Sequence, residues 1–248
     1  MTQAPSTIPS LRLRAAGDRF HSQRGWLDSW HSFSFAGHHD PNWMGYGPLR
    51  VINDDVIAAG EGFGMHPHQD MEIITVMVEG QINHRDSMGN SGVLRAGDVQ
   101  RMTAGTGIVH SEINEGSTPC RLLQIWIEPS AGNLAPSYDQ RHAPCGHTWT
   151  PLIAPDQTDV MAIARPVQLW RARPQPGQSL QLPANFPQLG WLQVINGQLE
   201  HIAPTAQATT FHTIPLQRGD GLGFDARSEF GELLSHSESC DLLLFGLA

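Results

Sequence analysis

Lysine is absent from the 248-residue sequence, so all 15 basic residues are arginines, and they face 24 acidic residues. The arginines are scattered along the chain without a basic run, and the formal net charge is −9. A nucleic-acid-binding protein needs a positively charged surface to neutralise phosphates. The sequence therefore argues against direct nucleic-acid binding.

Cysteines and long apolar runs are also scarce. Cys120, Cys145 and Cys240 are odd in number and have no Cys-x-x-Cys spacing, which argues against a disulfide framework and favours a reducing compartment. Residues 1–10 lack the charged start and apolar run of a secretory signal. Apolar runs such as residues 242–245 are far shorter than the ~20 residues of a membrane-spanning helix. We expect a soluble, cytoplasmic protein without membrane contact.

Helical periodicity is missing as well. Glycine-rich turns interrupt the chain at the spacing of roughly 8–12 residues that is typical of β-sandwiches and barrels, so the predicted fold class is all-β. One short helical turn is expected at residues 137–141. Strands are predicted at residues 11–20, 30–35, 49–57, 71–78, 81–85, 93–94, 99–102, 160–163, 167–170, 191–195 and 242–245.

Two domains are predicted. Prolines between Pro129 and Pro155 interrupt any regular element, and we place the division at residues 1–140 and 141–248. Residues 79–84 resemble residues 196–201, which suggests a duplication. The positions that correspond to His66 and His110 are Pro183 and Glu232, so the second domain is expected to have no metal site.

Four residues between positions 62 and 112 form the candidate metal site. Side chains two residues apart in a strand point to the same face, so His66 can converge with His68, and His110 with Glu112. Three imidazoles and one carboxylate suit iron, manganese, copper, nickel or zinc. An isolated His-x-His pair is more often part of a strand's surface, but a second pair favours a metal. His84 alternates with Ile82 and is interpreted as a sheet residue.

Several longer motifs resemble the pirins, a branch of the bicupin superfamily, and are most similar to the bacterial pirin-like quercetin dioxygenases. The resemblance implies two stacked cupin β-barrels, with one iron in the N-terminal barrel held by the equivalents of His66, His68, His110 and Glu112. Gln69 departs from the arginine of many pirins, which argues against charge-dependent protein docking there. The matching stretches are residues 31–35, 45–53, 64–72, 84–90, 97–112 and 123–129, with 191–197 and 219–220 in the second half.

Two glutamates, Glu72 and Glu112, are candidates for the carboxylate ligand. A generic cupin takes it from four residues after the second histidine, where Glu72 stands. Glu72 is about 13 Å along an ideal strand from His68, whereas Glu112 shares a face with His110. We favour Glu112 as ligand and also as the catalytic base, and keep Glu72 as the alternative.

The leading hypothesis is a dioxygenase that opens flavonols such as quercetin, with one divalent metal per chain. The resemblance implies Fe(II), and Cu, Ni, Mn or Zn remain alternatives. The expected partners are a small aromatic or enolic substrate and dioxygen, and the chain is expected to be a monomer. A redox-sensing regulatory protein with a protein partner is the competing hypothesis, and a structural metal in an inert cupin is the third.

Overall fold

The computed structural model describes residues 11–155, 157, 159–204, 211–227 and 230–247. Strands dominate these ranges, beside two short 3₁₀ helices at Ala16–Asp18 and Pro41–Trp43. The first half contains β1 Arg12–Arg14, β2 Phe20–Gln23, β3 Leu27–His31, β4 Leu49–Ile57, β5 Gly62–His68, β6 Glu72–Glu79, β7 Gln81–Asp86, β8 Ser91–Arg95, β9 Asp98–Thr103, β10 Ile108–Ile113, β11 Cys120–Ile127 and β12 Ser137–His142. The second half contains β13 Thr150–Ile153, β14 Gln168–Ala172, β15 Ser179–Leu180, β16 Leu189–Asn196, β17 Gln198–Pro204, β18 Phe211–Gln217, β19 Gly221–Asp225, β20 Glu232–Ser235 and β21 Asp241–Leu247. The all-β prediction is confirmed.

Four sheets build two barrels. The first barrel pairs a seven-stranded sheet, β12-β9-β6-β11-β4-β3-β2, with a four-stranded sheet, β5-β10-β7-β8. The second pairs a six-stranded sheet, β1-β19-β16-β21-β14-β13, with a four-stranded sheet, β15-β20-β17-β18. Apolar side chains of each large sheet pack against its small partner, as Met77 of β6 does with Ile82 of β7.

The two large sheets also pack against each other. Their shared core includes Ile74 and Ile125 from the first barrel and Trp191 and Leu243 from the second. Alternate residues of one strand therefore face either this shared core or the interior of their own barrel. On β6, Ile74 faces the shared core, and its neighbours Ile73 and Thr75 face the barrel interior.

Buried ion pairs lie near the boundary between the barrels. The Arg121 guanidinium donates to both carboxylate oxygens of Asp54, at 2.7 and 2.8 Å, and to the Ile195 carbonyl of the second barrel. Arg171 of the second barrel forms the corresponding bidentate pair with Asp241. Bidentate pairs satisfy guanidinium and carboxylate together, so these charges can be buried without leaving unpaired groups.

The first strand crosses to the second barrel. β1 pairs with β19, opposite Gly221–Asp225, and the Asp220 carboxylate accepts a hydrogen bond from the Ala16 backbone at 2.6 Å. β12 pairs with β9 of the first barrel across positions 137–142. The division at residues 140 and 141 remains a prediction, and residues 1–10 lie outside the described residues.

Four local predictions were wrong. The strand predicted at 11–20 is interrupted by the turn at Ala16–Asp18, and the strand predicted at 30–35 starts earlier and ends at His31. Ser137–His142 is an edge strand rather than a helical turn, because pairing with β9 satisfies its backbone. Residues 160–163 form only an isolated bridge at Met161. Within the described residues, no helix is long and apolar enough to cross a membrane.

Candidate metal centre

The histidines predicted as ligands meet on the four-stranded sheet of the first barrel. β5 and β10 are antiparallel neighbours, with His110 opposite His66 and Ile108 opposite His68. One ring nitrogen from each of His66, His68 and His110 lies within 4.8 Å of the other two. The ring centroids are 4.4 to 4.9 Å apart. His66 and His68 thus share a face, as period two predicts, and the pairing of β5 with β10 brings His110 beside them.

Hydrogen bonding leaves these imidazoles free to bind a metal ion. His66 Nδ1 lies 2.8 Å from the Gly64 carbonyl, a contact in which Nδ1–H donates and Nε2 keeps its lone pair. His110 is buried, and neither of its ring nitrogens has a hydrogen-bond partner in the described part of the chain. Unpaired buried polar atoms are costly unless a ligand satisfies them. The three histidines therefore fit a transition metal.

The pKa values of the buried histidines favour the neutral form that metals require. Burial, with the nearby His66, lowers the pKa of His68 to about 4. Burial and the neighbouring histidines lower the pKa of His110 to about 2. A protonated imidazole has no lone pair for a metal, so both rings are ready to coordinate at neutral pH.

Glu112 belongs to a second, overlapping cluster. One of its oxygens lies within 4.8 Å of nitrogens of His110 and His84, whereas the first cluster joins His110 to His66 and His68. The pairing of β10 with β5 shifts at a bulge between His110 and Glu112. A bulge changes the direction in which the following side chain points. The four predicted ligands therefore do not fall into one mutually close group.

Hydrogen bonds hold both oxygens of the buried Glu112 carboxylate. The Thr75 hydroxyl donates to Oε1 at 3.1 Å, and Gln124 Nε2 donates to Oε2 at 2.7 Å. Burial raises the pKa of Glu112 to about 7, although these hydrogen bonds oppose the shift. A carboxyl group with such a pKa can accept and return a proton near neutral pH.

Glu72 points away from both clusters. It stands three residues before Thr75 on β6, so its side chain lies on the opposite face, on the side of the shared core. Its carboxylate accepts a hydrogen bond from the Thr103 hydroxyl at 2.9 Å, and burial raises its pKa. The geometry thus favours Glu112 over Glu72 as the carboxylate near the histidines.

His84, which the sequence analysis interpreted only as a sheet residue, belongs to the second cluster. It lies opposite Glu112 on β7, is buried, and contacts the Asp86 carboxylate through Nε2 at 3.2 Å. Its ring stacks on Tyr138 of β12, with centroids 4.7 Å apart. The His84-x-Asp86 spacing, which puts both side chains on one face, is the signal that could have revealed it.

A cavity of about 200 Å³ adjoins the histidines. His66, His68 and Glu112 lie on one wall, and Phe35, Phe63 and Trp126 contribute aromatic rings. Trp126 packs edge-to-face against His68, with centroids 5.0 Å apart. The remaining lining includes four polar residues of β3 and β4, which the sequence did not reveal as part of the site: Ser29, His31, Asn53 and Asp55.

The described part of the second barrel has no comparable cluster of potential ligands. Among the described residues, groups of three or more potential ligands occur only in the two clusters above, and both lie in the first barrel. His201 stands in the second barrel where His84 stands in the first, but it packs against Phe224 and Phe230. Within the described residues, the fold thus repeats and the cluster of potential ligands does not.

Known proteins share both the sequence and the fold. The pirin family model matches residues 14–127. The quercetin 2,3-dioxygenase of Escherichia coli (strain K12) is 47% identical over 192 residues, covering 76% of this chain and 83% of that protein. A putative quercetin 2,3-dioxygenase of Pasteurella multocida (strain Pm70) is 38% identical over 244 residues, covering 96% and 99%.

A solved structure matches along nearly the whole chain. The bacterial pirin YhhW from Escherichia coli, in complex with nickel(II), superposes with a TM-score of 0.83 at 38% identity, covering 96% of this chain and 98% of that one. The agreement extends through both barrels, so the predicted bicupin architecture is confirmed. On this sequence and structural similarity, the chain belongs to the pirin family.

Proposed function

We propose that the chain is a metal-dependent dioxygenase that opens flavonols such as quercetin with dioxygen. The observation that carries this proposal is a cluster of three imidazoles, His66, His68 and His110, beside an aromatic-lined cavity. The similarity to proteins named quercetin 2,3-dioxygenase supports the oxidoreductase class. The net reaction consumes one flavonol and one dioxygen and gives one ester-linked cleavage product and one carbon monoxide.

We assign one divalent metal per chain to His66, His68, His110 and Glu112. The donor set of imidazoles and a carboxylate suits several transition metals, and Fe(II) is our first choice before Cu, Ni, Mn or Zn. When bound, the metal supplies a Lewis acid that lowers the pKa of the flavonol hydroxyl. To ligate the same ion as His66 and His68, Glu112 has to turn toward them from its hydrogen bonds with Thr75 and Gln124.

Glu112 is the proposed general base. Its carboxylate is buried, and its pKa of about 7 lets it take the proton of an incoming hydroxyl and release it again at neutral pH. In the described geometry, Gln124 and Thr75 hold the two carboxylate oxygens through hydrogen bonds. A general base within reach of the proton contributes a rate factor of ~10²–10⁴.

The aromatic residues would orient the substrate. Trp126 is held edge-to-face against both Phe35 and His68, with centroids 5.5 and 5.0 Å apart. These fixed rings present apolar surface to a planar substrate beside the histidines and keep water away from it.

The remaining assignments follow from the sequence. We propose a cytoplasmic monomer, divided at residues 140 and 141 into a metal-binding barrel and a barrel without metal. The redox-sensing alternative is not favoured, since the relatives that cover most of the chain carry enzyme names.

Aerobic turnover tests the proposal. Protein loaded separately with iron, copper, nickel, manganese or zinc is supplied with a panel of flavonols, and flavonol loss and carbon monoxide are measured. We expect equal amounts of flavonol consumed and carbon monoxide released with at least one metal. Absence of turnover with every metal, in protein shown by elemental analysis to be loaded, would contradict the assignment.

A further inference from the structure

The cavity has a second polar wall, formed by two hydrogen-bonded pairs on adjacent strands. Ser29 lies opposite Asp55 and His31 opposite Asn53 in the pairing of β3 with β4. The Ser29 hydroxyl donates to Asp55 Oδ1, and His31 Nδ1 contacts Asn53 Oδ1 at 2.8 Å. All four side chains are at most 4% exposed.

These pairs leave hydrogen-bonding capacity unused. Asn53 Nδ2 and Asp55 Oδ2 have no hydrogen-bond partner among the residues that the structure describes, and both side chains line the cavity. Neither atom is fully enclosed by the described protein atoms, so each keeps some accessible surface. Both are therefore available to a molecule that enters the cavity.

The fold itself does not require polar residues at these positions. In the second barrel, β14 occupies the place in the large sheet that β4 occupies in the first. Trp170 and Ala172 of β14 stand at the positions equivalent to Asn53 and Asp55. Trp170 and Ala172 both pack in an apolar core. Burying an amide and a carboxyl costs free energy unless they are satisfied, so a ligand for them is the simplest explanation.

The charge state of this wall suits a hydroxylated ligand. Burial raises the pKa of Asp55 to about 7, with smaller contributions from nearby acidic groups. Its carboxyl group can therefore donate or accept a hydrogen bond, and the Asn53 amide can donate one. An aromatic hydroxyl group matches both partners, whereas an apolar ring would leave them unpaired.

We propose that Asn53 and Asp55 form a hydrogen-bonding subsite for a ring hydroxyl of the substrate other than the oxygen pair that faces the histidines. The orientation of the substrate in this inference rests on the proposed function. The subsite specifies the substrate class as planar aromatic molecules that carry a chelating oxygen pair at one end and at least one further ring hydroxyl.

The first test compares two flavonols that share the chelating 3-hydroxyl and 4-carbonyl. Quercetin has further ring hydroxyls, and 3-hydroxyflavone has none. One hydrogen bond at the subsite is expected to favour quercetin in kcat/KM by ~3- to 10-fold. Asn53→Leu should remove that preference. Its kcat/KM for quercetin should fall by ~3- to 10-fold, and its kcat/KM for 3-hydroxyflavone by less than ~2-fold. Asn83→Leu is the matched control, because Asn83 on β7 donates to Glu115 at the surface.

The second test measures binding without turnover. Luteolin has ring hydroxyls but no 3-hydroxyl, and its binding to metal-free protein is followed by quenching of tryptophan fluorescence. We expect Asn53→Leu to raise the Kd by ~3- to 10-fold and Asn83→Leu to leave it unchanged. If luteolin binds as expected while no flavonol is consumed, the subsite stands and the proposed activity fails.

Other outcomes overturn the subsite. Equal luteolin binding by the wild type and Asn53→Leu would do so, even with full quercetin turnover. If circular dichroism shows that Asn53→Leu does not fold, Asp55→Ala, which copies Ala172, replaces it. If the wild type has nearly equal kcat/KM for quercetin and 3-hydroxyflavone, that result alone would contradict the subsite.

Discussion

The two large sheets present opposite chemistry to the interiors of their barrels. In the first barrel, a row of polar residues crosses five strands, each in register with the next: His31, Asn53, Gln124, Thr75 and Gln100. In the second barrel, the matching strands β14, β21, β16 and β19 carry Trp170, Leu244, Leu192 and Leu222 in register. One sheet architecture thus accommodates either a polar row or an apolar one.

The difference shows what the polar row contributes. The apolar row packs in the core of the second barrel and needs no ligand. In the first barrel, Gln124 and Thr75 donate to Glu112, while Asn53 pairs with His31 at the cavity. Burying such a row costs free energy that an apolar row does not cost. We infer that it supports the site rather than the fold.

The largest expected effect is a loss of bound metal that occurs in a variant of the first barrel but not in a variant of the second. His66→Ala combined with His68→Ala removes two of three imidazoles, so bound metal should fall from about one per chain to less than ~0.1. Elemental analysis after removal of loosely bound metal measures this. His201→Phe in the second barrel should keep about one metal per chain. A wild-type content near two would show that the second barrel binds metal as well.

The next effect tests the role of Glu112. Glu112→Gln keeps the size of the side chain and an oxygen donor but removes the base, so kcat for a flavonol should fall by ~10²–10⁴-fold with appreciable metal retained. Glu72→Gln, on the opposite face of β6, should be the milder change. Steady-state kinetics and metal analysis of both variants decide between them. The reverse order of severity would assign the carboxylate to Glu72.

The third effect is a change with pH in the unfolding free energy of the protein, caused by Asp55 in the polar wall. The pKa of Asp55 rises from 3.8 to about 7 on folding, because burial disfavours its charged form. Its contribution to stability is therefore complete below pH ~4 and is lost as the pH rises through 7, by up to about 4 kcal/mol. Urea unfolding of metal-free wild type and Asp55→Asn between pH 4 and 8 measures the difference.

We expect the wild type to lose stability relative to Asp55→Asn as the pH rises in this window. Glu112 titrates in both proteins, so the difference reports on Asp55 and on its interaction with Glu112. A constant difference between the two proteins would show that Asp55 keeps an ordinary pKa in the folded state.

The smallest effect compares two equivalent histidines. His201 is fully buried, and neither ring nitrogen has a partner in the described chain, so His201→Phe should raise the unfolding free energy by about 1 kcal/mol. His84 is tied to Asp86, and His84→Phe should lower it by about 1–3 kcal/mol, since the buried carboxylate loses a partner. Urea unfolding of metal-free protein checks both, and shifts of the same sign would contradict the comparison.

The histidine cluster was predictable because it depends on short-range geometry. Residues two apart on a strand share a face, and this places His66 beside His68 whatever the rest of the fold does. The all-β class followed equally from the turn spacing. The resemblance to pirins supplied the pairing of the two histidine segments and the bicupin architecture, which periodicity alone did not give.

Features that depend on distant pairing were not predictable in the same way. Ser137–His142 is an edge strand because β9 lies beside it, and local sequence favoured a turn of helix. The two oxygens of Glu112 are held by residues 12 and 37 positions away. Asn53, Asp54 and Asp55 form a run of polar residues in the middle of a largely buried strand, which is a signal that could have pointed to the cavity.

The crossing of β1 to the second barrel affects the order in which the chain can fold during synthesis. β1 is synthesised before the other strands, but its partner β19 begins only at Gly221. At roughly 5–20 residues per second, about 200 intervening residues delay this pairing by about 10–40 s. The first barrel can close around its histidines in that interval, and the first strand then completes the last sheet.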